Sequence, residues 1–258
     1  MPVFVPPDSG RPAGSKQPED PALPEPAQSR AVLDAYYEGV TVICQLAGRF
    51  TVDGWNARTP CPEWRARDLA GHLRCVADNY HEYLSDAPAS RYARLMASGR
   101  NPQALARKLA RQNAAELAAL ADAPPDEHVA AFALSARAYA RRLPSVWDLP
   151  HHLYQDQVVT VAGMAGAACA EWHLHAWDLA RALGTDHRPA DPVAVLDGWQ
   201  AGMVHQPASA ADYAVVASRG RSVDPWRVLL RASGRLPAWA GTAGLGRYRR
   251  RSGQAPPA

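Results

Sequence analysis

From residue 29 onward, apolar residues return at three- and four-residue intervals, the pattern of a helix that buries one face. Val32, Leu33, Tyr36, Val40, Ile43 and Ala47 mark the first such helix, with Ser29 as a start signal and Gly48 as a stop. A loop with two prolines, TVDGWNARTPCPEW, leads to a second helix over about 66–84. Its stripe reads Leu69, His72, Leu73, Val76, Tyr80, Tyr83, so a histidine stands inside an apolar face. A third helix is predicted over about 102–120, with Asn101 as cap, Pro102 in its first turn and Leu105, Leu109 and Leu117 inward. Pro124-Pro125 ends it. Residues 126–164 read as a long crossover with short strands at 129–134 and 157–162, and the crossover contains HHLYQDQ. The fourth helix runs over about 166–183, with Ala168, Glu171, Trp172, His175 and Leu179 on one face and Gly184 as its C-terminal cap.

These elements predict a mainly α fold: a four-helix bundle with a long crossover between helices 3 and 4 and a small C-terminal helical extension. In that extension Asp191-Pro192 opens a helix with Val193, Leu196, Trp199 and Met203 inward. Residues 206–224 are turn-rich, and 225–233 form a short helix. Residues 1–28 are rich in proline and charge and cannot bury enough apolar surface to offset ordering, so they read as a disordered leader. The division is then leader 1–28, bundle 29–187, extension 188–241 and a flexible basic tail 242–258.

Composition narrows the function. Hydrophobic residues make up 47% of 258, enough for a sizeable core, and a net charge of +3 gives no footing for nucleic-acid binding. The RYRRR cluster at 247–251 reads as a solvated tail. Cys44, Cys61, Cys75 and Cys169 are widely spaced, without a CxxC, and fit free thiols in a reducing compartment. The opening MPVFVPPDSGRPAG lacks a basic start and a long apolar run, and no segment reaches the roughly 18–20 apolar residues of a membrane span. A soluble cytoplasmic protein is expected, monomer or homodimer, acting on a small-molecule substrate without membrane or nucleic-acid partners.

The chemistry is concentrated in EWHLHAWDLARALG, residues 171–184. Glu171 and His175 are four apart and project from one helix face, and His72 faces the same core from the second helix. Two imidazoles and a carboxylate can hold a divalent metal and leave a position open for water or substrate. The spacing alone leaves a second reading open, a core histidine beside an ordinary polar pair. Burial of an unpaired carboxylate is costly, and a metal offsets that cost. His173, two residues from His175, faces elsewhere and reads as a surface residue or one that supports a ligand from behind. His151 and His152, in the crossover, are weaker ligand candidates.

The stretch DGWNARTPCPEWRARDLAGHL, residues 53–73, resembles the entry signature of the DinB-like, mycothiol-dependent maleylpyruvate isomerase N-terminal family. The Glu171–Gly184 stretch resembles that family's second signature, and LLRASGRLPAW at 229–239 is similar to the closing helix of a related actinobacterial metal-binding group. The resemblance covers about residues 29–240. It implies a four-helix bundle with a divalent metal, often zinc, on His72, Glu171 and His175. It also implies use of that metal to activate a low-molecular-weight thiol such as mycothiol for isomerisation, conjugation or transfer. Arg65 departs from the family's usual Ser or Thr before the second helix, so the capping box toward Asp68 is expected to be lost, at about 1 kcal/mol of local stability.

Several residues receive simpler roles. Asp178 reads as a surface partner of Arg181 in preference to a hydrogen-bond partner behind the ligands, Trp55 and Trp64 as packing at the bundle end, and Cys61 as a packed small residue in preference to a reactive thiol. Arg219, Arg221 and Arg227 could reach an anionic substrate over the metal, although solvated arginines are the default. Two other functions stand beside the thiol-using enzyme: a biosynthetic enzyme that uses the metal as a Lewis acid without thiol, and a non-catalytic metal-binding protein.

Overall fold

The computed structural model describes residues 26–62, 64–84, 102–154, 157–202 and 224–236, and over these the chain is mainly helical. The elements are α1 (Pro26–Ala47), α2 (Ala66–Tyr83), α3 (Pro102–Ala119), α4 (Pro125–Arg142), the antiparallel strands β1 (Pro150–Tyr154) and β2 (Gln157–Thr160), α5 (Val161–Ala182), α6 (Pro192–Gly202) and α7 (Pro225–Ala232).

Helix α5 is the centre of the molecule. Nearly every residue from Val161 to Ala180 is buried, because its Ala- and Gly-rich sequence offers no polar face to water. It packs on α1, α2 and α6, and α6 in turn packs on α7. The α5–α6 contact is close enough to need glycine: a Cβ on Gly166 would lie 2.5 Å from the Gly198 Cα. Thr160 starts α5 by accepting the Gly163 N–H at 3.1 Å, so the helix begins five residues before the expected 166. Gly184, at φ 70°, closes it as expected.

The stretch read as a strand at 129–134 lies inside α4. Pro125 occupies the first turn of this helix, where its missing N–H costs nothing, so the Pro124-Pro125 pair starts a helix as well as ending one. Phe132, Ala133, Ala136, Tyr139 and Ala140 are buried, and α4 packs on α1 and α2. Helix α3 has no buried position among its described residues and packs on α2 alone among the larger contacts. The expected crossover thus holds a core helix, and the expected third bundle helix lies outside the core. HHLYQDQ begins in β1, paired with β2 through His152 and Val159, so His151 and His152 are strand residues and not loop residues.

Two further boundaries differ. Helix α1 begins at Pro26, so Ser29 is within its first turn. The N-terminus of α2 keeps half of a capping box: the Asp68 carboxylate accepts the Arg65 backbone N–H at 2.9 Å. The other half is absent because a guanidinium has only donors; the Arg65 side chain donates instead to the Asn56 carbonyl at 3.0 Å. No described helix is long and apolar enough to cross a membrane.

Candidate metal centre

Helices α2 and α5 bring His72, Glu171 and His175 together. One ligand atom from each lies within 4.8 Å of the others. His72 and His175 are both buried, and their rings meet edge to face with centroids 5.1 Å apart. Glu171 keeps some exposure, and its Oε2 is 3.1 Å from His175 Nε2, the contact that i, i+4 spacing on a helix predicts.

The other ring nitrogen of His175 is fixed. Nδ1 donates to Asp178 Oδ2 at 3.0 Å, one turn along α5. Asp178 is fully buried and has two more partners: Arg235, with Nη2 to Oδ2 at 2.6 Å and Nε to Oδ1 at 3.0 Å, and the Cys61 thiol, which donates to Oδ2 at 3.3 Å. The centre therefore holds two carboxylates, a guanidinium and two imidazoles, with Glu171 at its more exposed edge.

The titration behaviour follows from this charge arrangement. Burial pushes His72 down to about 3, which keeps it neutral with a free lone pair. Burial would also depress His175, but hydrogen bonds to Asp178, Cys61 and Glu171 outweigh it and hold His175 well above its usual range. Burial works against ionisation of both carboxylates, yet His175 keeps Glu171 below its ordinary value, and His175 with Arg235 brings Asp178 to about 2. The His175 ring, between Glu171 and Asp178, is thus the group whose charged form these carboxylates favour.

Other expectations fare differently. Asp178 is no surface partner of Arg181: that arginine lies over the Trp177 ring, 5.9 Å from its centroid. Cys61 is half-buried at the edge of the centre, against a carboxylate, and not simply packed. Trp55 stacks on Phe50 as a packing residue, with centroids 4.6 Å apart, but Trp64 stacks on His72 at 4.3 Å. Trp64 also lines a cavity of about 560 Å³ with Asn56, Arg65, Arg67, Asp68 and His128. His173 is fully buried on the far side of α5; its Nε2 donates to the Ala35 carbonyl at 2.8 Å and its Nδ1 meets His187 Nε2 at 3.0 Å. His151 and His152 contact each other, Nδ1 to Nδ1 at 2.8 Å, and join no cluster of metal-ligating groups among the described residues. Arg219 and Arg221 lie outside the described residues, and Arg227 is exposed on α7. Among the described residues, the arginine that reaches the centre is Arg235.

The sequence matches the family model of the mycothiol maleylpyruvate isomerase N-terminal domain over residues 38–180, more than half of the chain. No curated protein and no solved structure matches it. The matched span includes His72, Glu171 and His175 together with Cys61, Trp64 and Asp178; Arg235 falls beyond it. The chain belongs to the mycothiol maleylpyruvate isomerase N-terminal domain family.

Proposed function

We propose that His72, Glu171 and His175 hold a divalent metal ion, zinc by donor type, and that the protein is a small-molecule enzyme that uses it to activate a low-molecular-weight thiol such as mycothiol for isomerisation, conjugation or transfer. The convergence of three ligand atoms within 4.8 Å carries the reading. The residues also fit a cation chemically. His72 is neutral at any physiological pH, and Glu171 is ionised in spite of its burial. His175 has Nδ1 engaged by a carboxylate and Nε2 turned toward Glu171, the orientation by which a second carboxylate supports a ligating imidazole. The 3.1 Å approach of His175 Nε2 to Glu171 Oε2 marks the place where a cation would stand.

A bound divalent metal supplies charge that brings the pKa of a coordinated thiol or water toward neutrality. The chain's own groups do the rest. Asp178 holds the His175 tautomer, and Trp64 covers one face of His72 and excludes water from it. The cavity with Leu117 and Leu120 on an apolar side and Arg65, Arg67 and Asn56 on a polar side shares Trp64 with the centre but is lined by none of the three ligands, so it is no part of the metal reading. The family membership supports an isomerase-like role, and the packing supports a DinB-like four-helix bundle of α1, α2, α4 and α5, with α3 and the hairpin inserted in its connections.

Cobalt substitution tests this reading. The purified protein should take up about one cobalt per chain, and mycothiol should add a sulfur-to-cobalt absorption band. Uptake without that band leaves the Lewis-acid reading or a non-catalytic metal protein. Failure to take up cobalt, zinc or nickel removes the metal reading.

A further inference from the structure

The contact between Arg235 and Asp178 joins two parts of the chain that the family match separates. Arg235 follows α7 directly, and its position is set by the way that helix ends. Gly234, at φ 77°, donates to the Arg231 carbonyl at 2.9 Å, and Arg235 N donates to the Leu230 carbonyl at 2.8 Å. This paired turn reverses the chain and needs a left-handed residue at position 234. A side chain there would meet no atom within 4 Å, so glycine is required by the backbone alone.

Helix α7 is in turn held by the segment that follows α5. Trp226 is buried, and its Nε1 donates to the His187 carbonyl at 3.1 Å. Arg188 makes two hydrogen bonds to Asp224, at 2.8 and 2.9 Å, and Asp224 caps α7 through the Trp226 N–H. Val228, Leu229 and Leu230 are buried on the same helix. Docking of α7 therefore fixes where the Arg235 guanidinium lies. The guanidinium holds both oxygens of Asp178, leaving Oδ2 directed at His175 Nδ1.

We infer that α7 and the turn after it form a positioning element for the metal centre: when docked, it places Arg235 on Asp178, and Asp178 so held fixes the orientation of His175. The inference rests on the metal reading above. Arg235 is a positioning residue, acting through Asp178 and through its own Nη2, which lies 3.3 Å from His175 Nδ1. Coupling of this kind is reciprocal: a bound metal should hold α7 in place as firmly as α7 holds the ligands.

The test uses the full chain and cobalt as probe. Arg235→Gln should weaken cobalt binding about tenfold or more, the usual effect of losing a group behind a ligand, and should alter the visible cobalt spectrum. Arg235→Lys should recover part of the affinity. Gly234→Val keeps the guanidinium but forbids the turn, so it should weaken cobalt binding as well. Cobalt should slow proteolytic cleavage around 224–236 in the parent and do so less in Arg235→Gln. Cobalt affinity and spectrum unchanged in both Arg235→Gln and Gly234→Val, with parental binding intact, would overturn this inference and leave the metal reading standing. A parent that binds no cobalt, zinc or nickel removes both.

Discussion

Trp64 lies on His72 with ring centroids 4.3 Å apart and planes inclined at 38°. The indole thus covers a ring that needs its lone pair for a metal, and it is also a spectroscopic reporter beside that ring. A paramagnetic ion such as cobalt or nickel, bound at His72, should quench the fluorescence of this indole ahead of the other seven tryptophans. Titration of the parent with cobalt should give partial quenching that saturates near one equivalent. Trp64→Phe should bind cobalt with most of that quenching gone. Equal quenching in both would place the metal elsewhere.

Helices α3 and α4 invert the roles that their sequences suggest, and core truncation can show it. Phe132 of α4 is fully buried and meets Trp172 edge to face at 4.9 Å. Phe132→Ala should cost about 3–5 kcal/mol of unfolding free energy, the range for deleting a buried aromatic ring. Leu117 of α3 is only half-buried, and Leu117→Ala should cost about 1 kcal/mol or less by the same area reasoning. Urea unfolding of the two variants measures the difference. Equal losses would return α3 to the core.

The convergence of His72, Glu171 and His175 was legible because polar residues inside an apolar stripe at helical spacing are rare, and each of the three stands in one. Asp178 was not, since it sits three residues from His175 and three from Arg181, and sequence alone favours the surface ion pair. Arg235 lies 57 residues from Asp178, and no local pattern reports a contact over that separation. The strand assigned to 129–134 failed for a related reason: VAAFAL is a short continuous apolar run, which periodicity alone does not separate from a strand, and it includes Leu134, 70% exposed on the wet face of the helix. His173 was placed near the surface because it points away from His175, but α5 is covered on that side too, by α1.

The buried His173–His187 pair predicts a pH dependence. His173 Nε2 faces a carbonyl and so carries the proton, which leaves Nδ1 to accept from His187 Nε2; both rings are neutral. Burial lowers His173 to about 4, and burial with the neighbouring His173 lowers His187 to about 4. The unfolded chain takes up protons on these rings from pH 6.5 downward, but the folded chain does not until about 4. Their contribution to stability therefore falls as pH drops through that window, by roughly 3 kcal/mol for His173. His173→Phe cannot titrate. It should be less stable than the parent at pH 7.5, because the Ala35 carbonyl and His187 lose a partner, and the gap should shrink by pH 5. Urea midpoints at the two pH values decide it, and a gap that stays constant or widens on acidification contradicts the pairing.

Asp178→Asn separates the burial of this side chain from its charge. The amide has nearly the volume of the carboxylate, so packing around α5 should survive and helix content should match the parent. Three things change. Arg235 loses its counter-charge in a buried place, which is destabilising by an amount on the order of 2–4 kcal/mol. His175 loses the stronger of its two flanking carboxylates, and its raised pKa should fall. Most specifically, an amide can turn its NH₂ toward His175 Nδ1, which then accepts and leaves the proton on Nε2, the atom that faces Glu171. That tautomer cannot ligate through Nε2. Metal affinity should fall about 10–100-fold, the range for losing the carboxylate behind a ligating imidazole. Arg181→Ala serves as the control, because Arg181 is exposed over Trp177 and touches none of these groups; it should bind metal as the parent does. Competition titration with a coloured chelator measures both. If Asp178→Asn binds as tightly as the parent, the network around His175 has no part in holding a metal.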